Sequence, residues 1–182
     1  VRKEACETAL SYVKSIGEKV GINPDFFSNN DIHIHFPESA TPKDGPSAGV
    51  ATAICILSAI CKLRIRNDVA RTGEIDLRGN SMPIGGLREK CNAASREHIK
   101  TVFIPYENHK DKRELPKEIA DALEIVEIKK VDELFPRVFL EDSNETVAWN
   151  IFDASSLITL NGAGQVFLTD DDVVRLNQEL EA

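Results

Sequence analysis

The chain has 182 residues, 42% apolar and 29% charged, with a formal net charge of −8. That suits one globular domain, or one domain with an appendage, and no run of 18 apolar residues is present to span a membrane. Residues 141–182 carry nine Asp/Glu against one basic residue, Arg175, leaving 21 acidic and 21 basic residues in 1–140. A neutral body without a basic stripe argues against nucleic acid as a partner of this domain.

In chain order, residues 2–20 place Ala5, Ala9, Tyr12, Val13, Ile16 and Val20 at helical spacing. Gly21 is the expected stop and Pro24 forbids continuation. The N-terminus mixes charges with apolar residues, unlike a signal peptide, and begins with Val rather than Met, so a piece of a longer protein is expected. "DIHIHF", Asp31 to Phe36, alternates as a strand with Ile32, Ile34 and Phe36 on one face and His33 and His35 on the other. A turn rich in Pro and Gly leads to Ala48–Leu63, apolar nearly all round and read as a buried helix.

"TGEIDL" and "NSMPI" read as short strands about Arg78-Gly79-Asn80. Gly85-Gly86 opens the helix "LREKCNAASREH", followed by the strand "KTVFIP", a polar connector, a short helix, the strand "LEIVEI" and a helical turn in "VDELFPRVF". This mixture predicts an α+β domain over residues 1–140. Beyond it, "SSLITLNGAGQVFL" reads as a hairpin about Asn-Gly, and Thr169 as the N-cap of a helix in "DDDVVRLNQELEA". The extension 141–182 is thus expected to be a hairpin plus a helix of unassigned function.

Cys6, Cys55, Cys61 and Cys91 form no C-x-x-C pair, and three of them lie among apolar residues of expected helices. Buried reduced thiols are expected rather than zinc ligands or disulfides. That places the chain in a reducing compartment, cytoplasm or an organellar matrix.

Gly45-Pro46-Ser47-Ala48-Gly49 matches G-x-S-x-G, the nucleophile elbow of α/β-hydrolases. An elbow needs a strand running into the serine, and Pro42, Gly45 and Pro46 oppose one here. The other option is a serine activated by a neutral lysine, which requires apolar surroundings and no carboxylate partner. Lys90 lies on the flank of a stripe of Leu87, Cys91 and Ala94. Periodicity leaves it open between a solvated position paired with Glu97 and a buried base.

"DIHIHFPESATPKDGPSAG", "TGEIDLRGNSMPIGGLREK" and "IKTVFIPYENHKD" closely resemble the proteolytic domain of the Lon family of ATP-dependent proteases, in its bacterial and organellar A-type branch. The resemblance runs from Glu4 to Phe139, and its two most specific runs set serine and lysine 43 residues apart. It implies a Ser47–Lys90 catalytic dyad, with Thr72 orienting the lysine. It also implies that Asp44 and Gly45 belong to a loop with open and blocking forms. His33 and His35 match the H-x-H before that loop; with no third ligand at an obvious spacing a metal is not expected, and they are expected to line the groove or hydrogen-bond the loop.

The resemblance implies a serine endopeptidase acting on unfolded or damaged polypeptides, as a homo-oligomeric and when full length hexameric ring. An ATPase domain would act in cis or in trans. No G-x-x-x-x-G-K-[ST] occurs in the chain, so no cofactor is expected here, and ATP and Mg belong to that other domain. Two further readings are a weakly active Lon-like docking platform and a small esterase-like serine hydrolase.

Overall fold

Apolar periodicity in Arg2–Ile16 (α1) buries Ala5, Ala9, Tyr12 and Val13 along one face. In the computed structural model, which describes residues 2–34 and 45–140 and the backbone of 174–176, that face packs on Gly49–Cys61 (α3). A 3-10 turn at Glu18–Val20 ends α1's continuation, and Gly21 closes it with φ 78°. A short helix, Phe26–Asn29 (α2), leads to the strand Ile32–Ile34 (β1). All thirteen residues of α3 are buried, as its all-round apolar sequence requires. At its end the Ser58 hydroxyl donates to the Leu63 carbonyl.

The sheet that α3 covers consists of Val69–Arg71 (β2), Thr101–Pro105 (β5) and Glu124–Ile128 (β6), all parallel in the order β2-β5-β6. Between β2 and β5 come the hairpin strands Glu74–Ile75 (β3) and Ser81–Met82 (β4), then the helix Leu87–Arg96 (α4). The central strand β5 is buried throughout. Its side chains alternate, as a strand covered on both faces requires. Phe103 joins the α1–α3 core, while Val102 and Ile104 join Leu87, Cys91 and Ala94 of α4 with Leu115 and Leu123. Each such large apolar side chain stabilises the fold by about 1.5–3 kcal/mol.

Two short helices, His109–Arg113 (α5) and Lys117–Ala122 (α6), connect β5 to β6. After β6 a 3-10 segment, Val131–Leu134, runs into Phe135–Val138 (α7). The β3–β4 register pairs Glu74 with Met82 and Ile75 with Ser81. The Asp76 carboxylate shapes the intervening turn by accepting from the N–H groups of Arg78 and Asn80, both at 2.8 Å, and from the Asn80 amide at 2.7 Å.

This is the α+β domain expected, with β2 and two short helical segments, α2 and α5, unforeseen and one element misread. Strand β2 is missed because Val-Ala-Arg offers no alternation and its partner strand begins thirty residues after it ends. The helix expected across 170–182 is corrected at Val174–Leu176, which is a strand (β7) antiparallel to β1, Ile34 opposite Val174 and Ile32 opposite Leu176. Two adjacent β-branched valines and the open edge of β1 outweigh the acidic first turn that suggests a helix. The expected hairpin at 155–168 lies outside the described residues. All four cysteines are thiols, with Cys55, Cys61 and Cys91 buried and Cys6 half-buried. Burial pushes the Cys61 thiol up to about 12 and raises that of Cys91. Among the described residues no helix is long and apolar enough to cross a membrane.

Candidate active site

Ser47 is half-buried in the turn that enters α3. Its backbone is held firmly. The Ser47 carbonyl accepts the Gly73 N–H at 3.0 Å and the Thr72 hydroxyl at 3.4 Å, while the Gly73 carbonyl accepts the Val50 N–H at 3.1 Å. Thr72 is 7% exposed, and its own N–H bonds the Phe103 carbonyl at 3.1 Å. Thr72 and Gly73 come directly after β2, so the serine turn is mounted on the carboxyl end of that strand, beside β5. The glycine closing G-x-S-x-G has a packing reason: a Cβ at Gly49 would lie 2.7 Å from Ile75 Cγ2.

Lys90 occupies the first turns of α4. Gly86 starts that helix in the left-handed region, φ 67°, where a side chain is strained. The Lys90 N–H bonds the Gly86 carbonyl at 3.1 Å. Leu87, Cys91 and Ala94 are buried, as their stripe predicts, and Lys90 on the flank is half-buried. Among the described residues its ammonium makes no ion pair, and Glu97 is exposed without pairing it. Before α4, the Ile84 N–H donates to Asn108 Oδ1 at 3.0 Å, and Asn108 Nδ2 donates to the Ile84 carbonyl at 2.8 Å. Asn108 lies three residues past the end of β5 and is 2% exposed. The approach to α4 is thus tied to the carboxyl end of β5. Crevices outside the carboxyl ends of parallel strands are where open sheets bind ligands.

Beside Pro46 a cavity of about 150 Å³ is lined by Glu4, Ala5, Thr8, Glu74 and Ile75. Gly45 has φ 142° and no neighbour within 4 Å of where a Cβ would stand, so conformation rather than space favours glycine. His33 is exposed on β1; His35 and Asp44 lie outside the described residues. Among the described residues the Thr72 hydroxyl bonds the Ser47 carbonyl and not Lys90. Among the described residues no three His, Cys, Asp or Glu side chains cluster as metal ligands. Sequence reasoning overlooks Gly73 and Asn108. Asn108 sits inside "IPYENHKD" as one polar residue of a connector, with nothing local to mark it as buried.

The family model described as "Lon protease (S16) C-terminal proteolytic domain" matches residues 1–141, and the chain belongs to this family. The Lon protease of Nitratidesulfovibrio vulgaris is 51% identical over 140 residues, 77% of this chain and 17% of that protein. Lon protease of Escherichia coli K12 is 50% identical over 134 residues, 74% of this chain and 17% of that protein. Lon protease of Azorhizobium caulinodans is 49% identical over 149 residues, 82% of this chain and 17% of that protein. The chain therefore spans about a sixth of the length of these relatives. A second model, "Domain of unknown function (DUF4479)", matches residues 125–182.

Proposed function

We propose that this chain is the proteolytic part of a serine endopeptidase and cleaves polypeptides with Ser47 as nucleophile and Lys90 as base. The observation carrying this reading is the mounting of the two residues. Ser47 hangs on the end of β2 through Thr72 and Gly73, and the helix of Lys90 is tied to the end of β5 through Ile84 and Asn108. These strands are neighbours, Arg71 opposite Phe103.

In this mechanism the neutral Lys90 amine takes the Ser47 proton as Oγ attacks the peptide carbonyl. The lysine then passes the proton to the leaving amine, and water releases the acyl group. Pro46 has no N–H, so the oxyanion donors are the N–H groups of Ser47 and Ala48, aided by the positive end of α3. Each such donor contributes about 3–4 kcal/mol to the transition state. Thr72 sets the lysine's lone pair and steadies the serine backbone, Asp44 gates the loop with Gly45 as its pivot, and His33 and His35 line the groove. The reaction needs no metal or cofactor in this chain.

In the full-length setting we place the domain in a homo-hexameric ring with an ATPase domain in cis or in trans, in the cytoplasm or an organellar matrix. Its substrates are unfolded or damaged polypeptides. Two units divide the chain, 1–140 as the proteolytic domain and 141–182 as an extension. The reading is tested with a serine-reactive peptidyl probe and mass mapping of the adduct. Ser47 is labelled in wild type, and in Lys90→Met the labelling falls to a small residual rate. Labelling of the variant at the wild-type rate would overturn the dyad, and an unlabelled wild type in an assembled ring would favour a docking platform.

A further inference from the structure

We infer that Asn108 is a positioning residue for Lys90, a role that rests on the dyad reading above. Its side chain is 2% exposed and makes three hydrogen bonds. Oδ1 accepts the Ile84 N–H at 3.0 Å, and Nδ2 donates to the Ile84 carbonyl at 2.8 Å and to Asp111 Oδ2 at 2.6 Å. Both amide protons are used. The amide therefore acts toward Ile84 as a neighbouring strand would, engaging its N–H and C=O together. Asp111, on α5, fixes which way the amide faces.

The grip on Ile84 matters because Gly85 and Gly86 come directly after it, the least restricted residues a chain can place before a helix. Gly86 is left-handed and its carbonyl accepts the Lys90 N–H. From Asn108 to Lys90 the path is thus one side-chain clamp, two glycines and one helical hydrogen bond. Leu87, Cys91 and Ala94 hold α4 against β5 through apolar contacts, which are non-directional and tolerate sliding along the sheet. The clamp supplies the direction that those contacts lack. A base must stand within about 2.6–3.2 Å of the proton it takes, so a small slide of α4 is costly to acylation and cheap to the core.

The test uses the full chain with a small fluorophosphonate probe, whose reaction reads the readiness of Ser47 rather than peptide binding. Asn108→Leu keeps bulk and removes all three bonds. Its Ser47 labelling rate should fall about ten- to a hundredfold, the range a displacement of around 1 Å produces, at a temperature where circular dichroism shows it folded. In the Lys90→Met background the same change should slow the residual labelling no further. Wild-type labelling by folded Asn108→Leu, or an equal factor with and without Lys90, overturns the inference.

Asn108→Asp decides the matter if the leucine variant does not fold. It keeps the acceptor for the Ile84 N–H but turns an oxygen toward the Ile84 carbonyl and Asp111. Protonation restores a donor there, so its labelling rate relative to wild type should climb as pH is lowered; a flat ratio overturns the inference. Failure of the dyad shows separately, as Lys90→Met labelling normally.

Discussion

Gly73→Ala is the substitution from which the mounting of Ser47 can be measured. A Cβ at that position would stand 2.7 Å from Val50 Cγ2 and 2.7 Å from Ser81 Oγ, with Pro105 Cγ at 3.5 Å. Ordinary contacts begin near 3.4 Å, so something must give by roughly 0.7 Å on two sides, and because φ 157° is strained for any side chain the backbone at Gly73 is expected to retreat. Overpacking of this kind costs about 1–3 kcal/mol of stability. The retreat also pulls the Gly73 N–H off the Ser47 carbonyl and the Gly73 carbonyl off the Val50 N–H. If Ser47 moves by most of that distance, acylation slows by one to two orders of magnitude, given about 100-fold per 1 Å of misplacement. Gly79→Ala is the matched control, since its Cβ would collide with the Tyr12 ring, in the turn between β3 and β4. Urea midpoints should fall for both variants, and Ser47 labelling should slow by more than tenfold only for Gly73→Ala. Equal labelling of the two variants under folded conditions would refute the claim that Gly73 supports the serine.

Thr72→Val removes the hydroxyl bond to Ser47 while keeping the β-branched shape, so stability should change by about 1 kcal/mol while Ser47 labelling falls severalfold; labelling at the wild-type rate removes Thr72 from the site. Hydrogen bonds from the Arg66 guanidinium hold the Asp68 carboxyl below its ordinary 3.8, and those from Arg137 and Thr101 hold Glu124 below 4.5. Because folded values are depressed, their stabilisation is complete above the unfolded values and lost as pH falls through the folded ones. Urea midpoints should thus decline below about pH 4 and decline less steeply in Asp68→Asn; parallel curves would contradict this. A thiol reagent applied to the folded chain should modify Cys6 and spare Cys55, Cys61 and Cys91 until denaturant is added, with mass mapping as the readout. Early modification of Cys61 would show that its helix opens below global unfolding.

Elements whose apolar spacing is dictated by one core face are readable from sequence. Residues of α1 and α4 repeat at helical period, and α3 is apolar all round because helices and sheet enclose it. Strand β2 escapes because parallel pairing with β5 is a non-local event with no trace in three residues. The clamp on Ile84 escapes for the same reason, joining residues 24 apart through an asparagine that reads locally as a loop residue. The misread strand at Val174–Leu176 has the opposite cause. A local helix signal is present there, but an unpaired edge on β1 decides the backbone.

Ser47, in the turn entering α3, and Lys90, on α4, belong to elements on opposite faces of one sheet, with α3 in the Phe103 core and α4 against Val102 and Ile104. No direct contact between those helices is needed to keep their starts in register. The reference is β5, buried at all five positions. On one side Phe103 holds Thr72 and, through it, the Ser47 carbonyl; beyond the strand's end Asn108 holds Ile84 and, through Gly86, the Lys90 turn. Sliding of either helix therefore stretches a hydrogen bond to a rigid element rather than merely sliding apolar surface over apolar surface. Among the described residues the groups that hold the Lys90 turn (Asn108, Ile84, Gly86) are separate from those that hold Ser47 (Thr72, Gly73, Phe103), so substitutions at Asn108 and at Gly73 should perturb the two mounts one at a time.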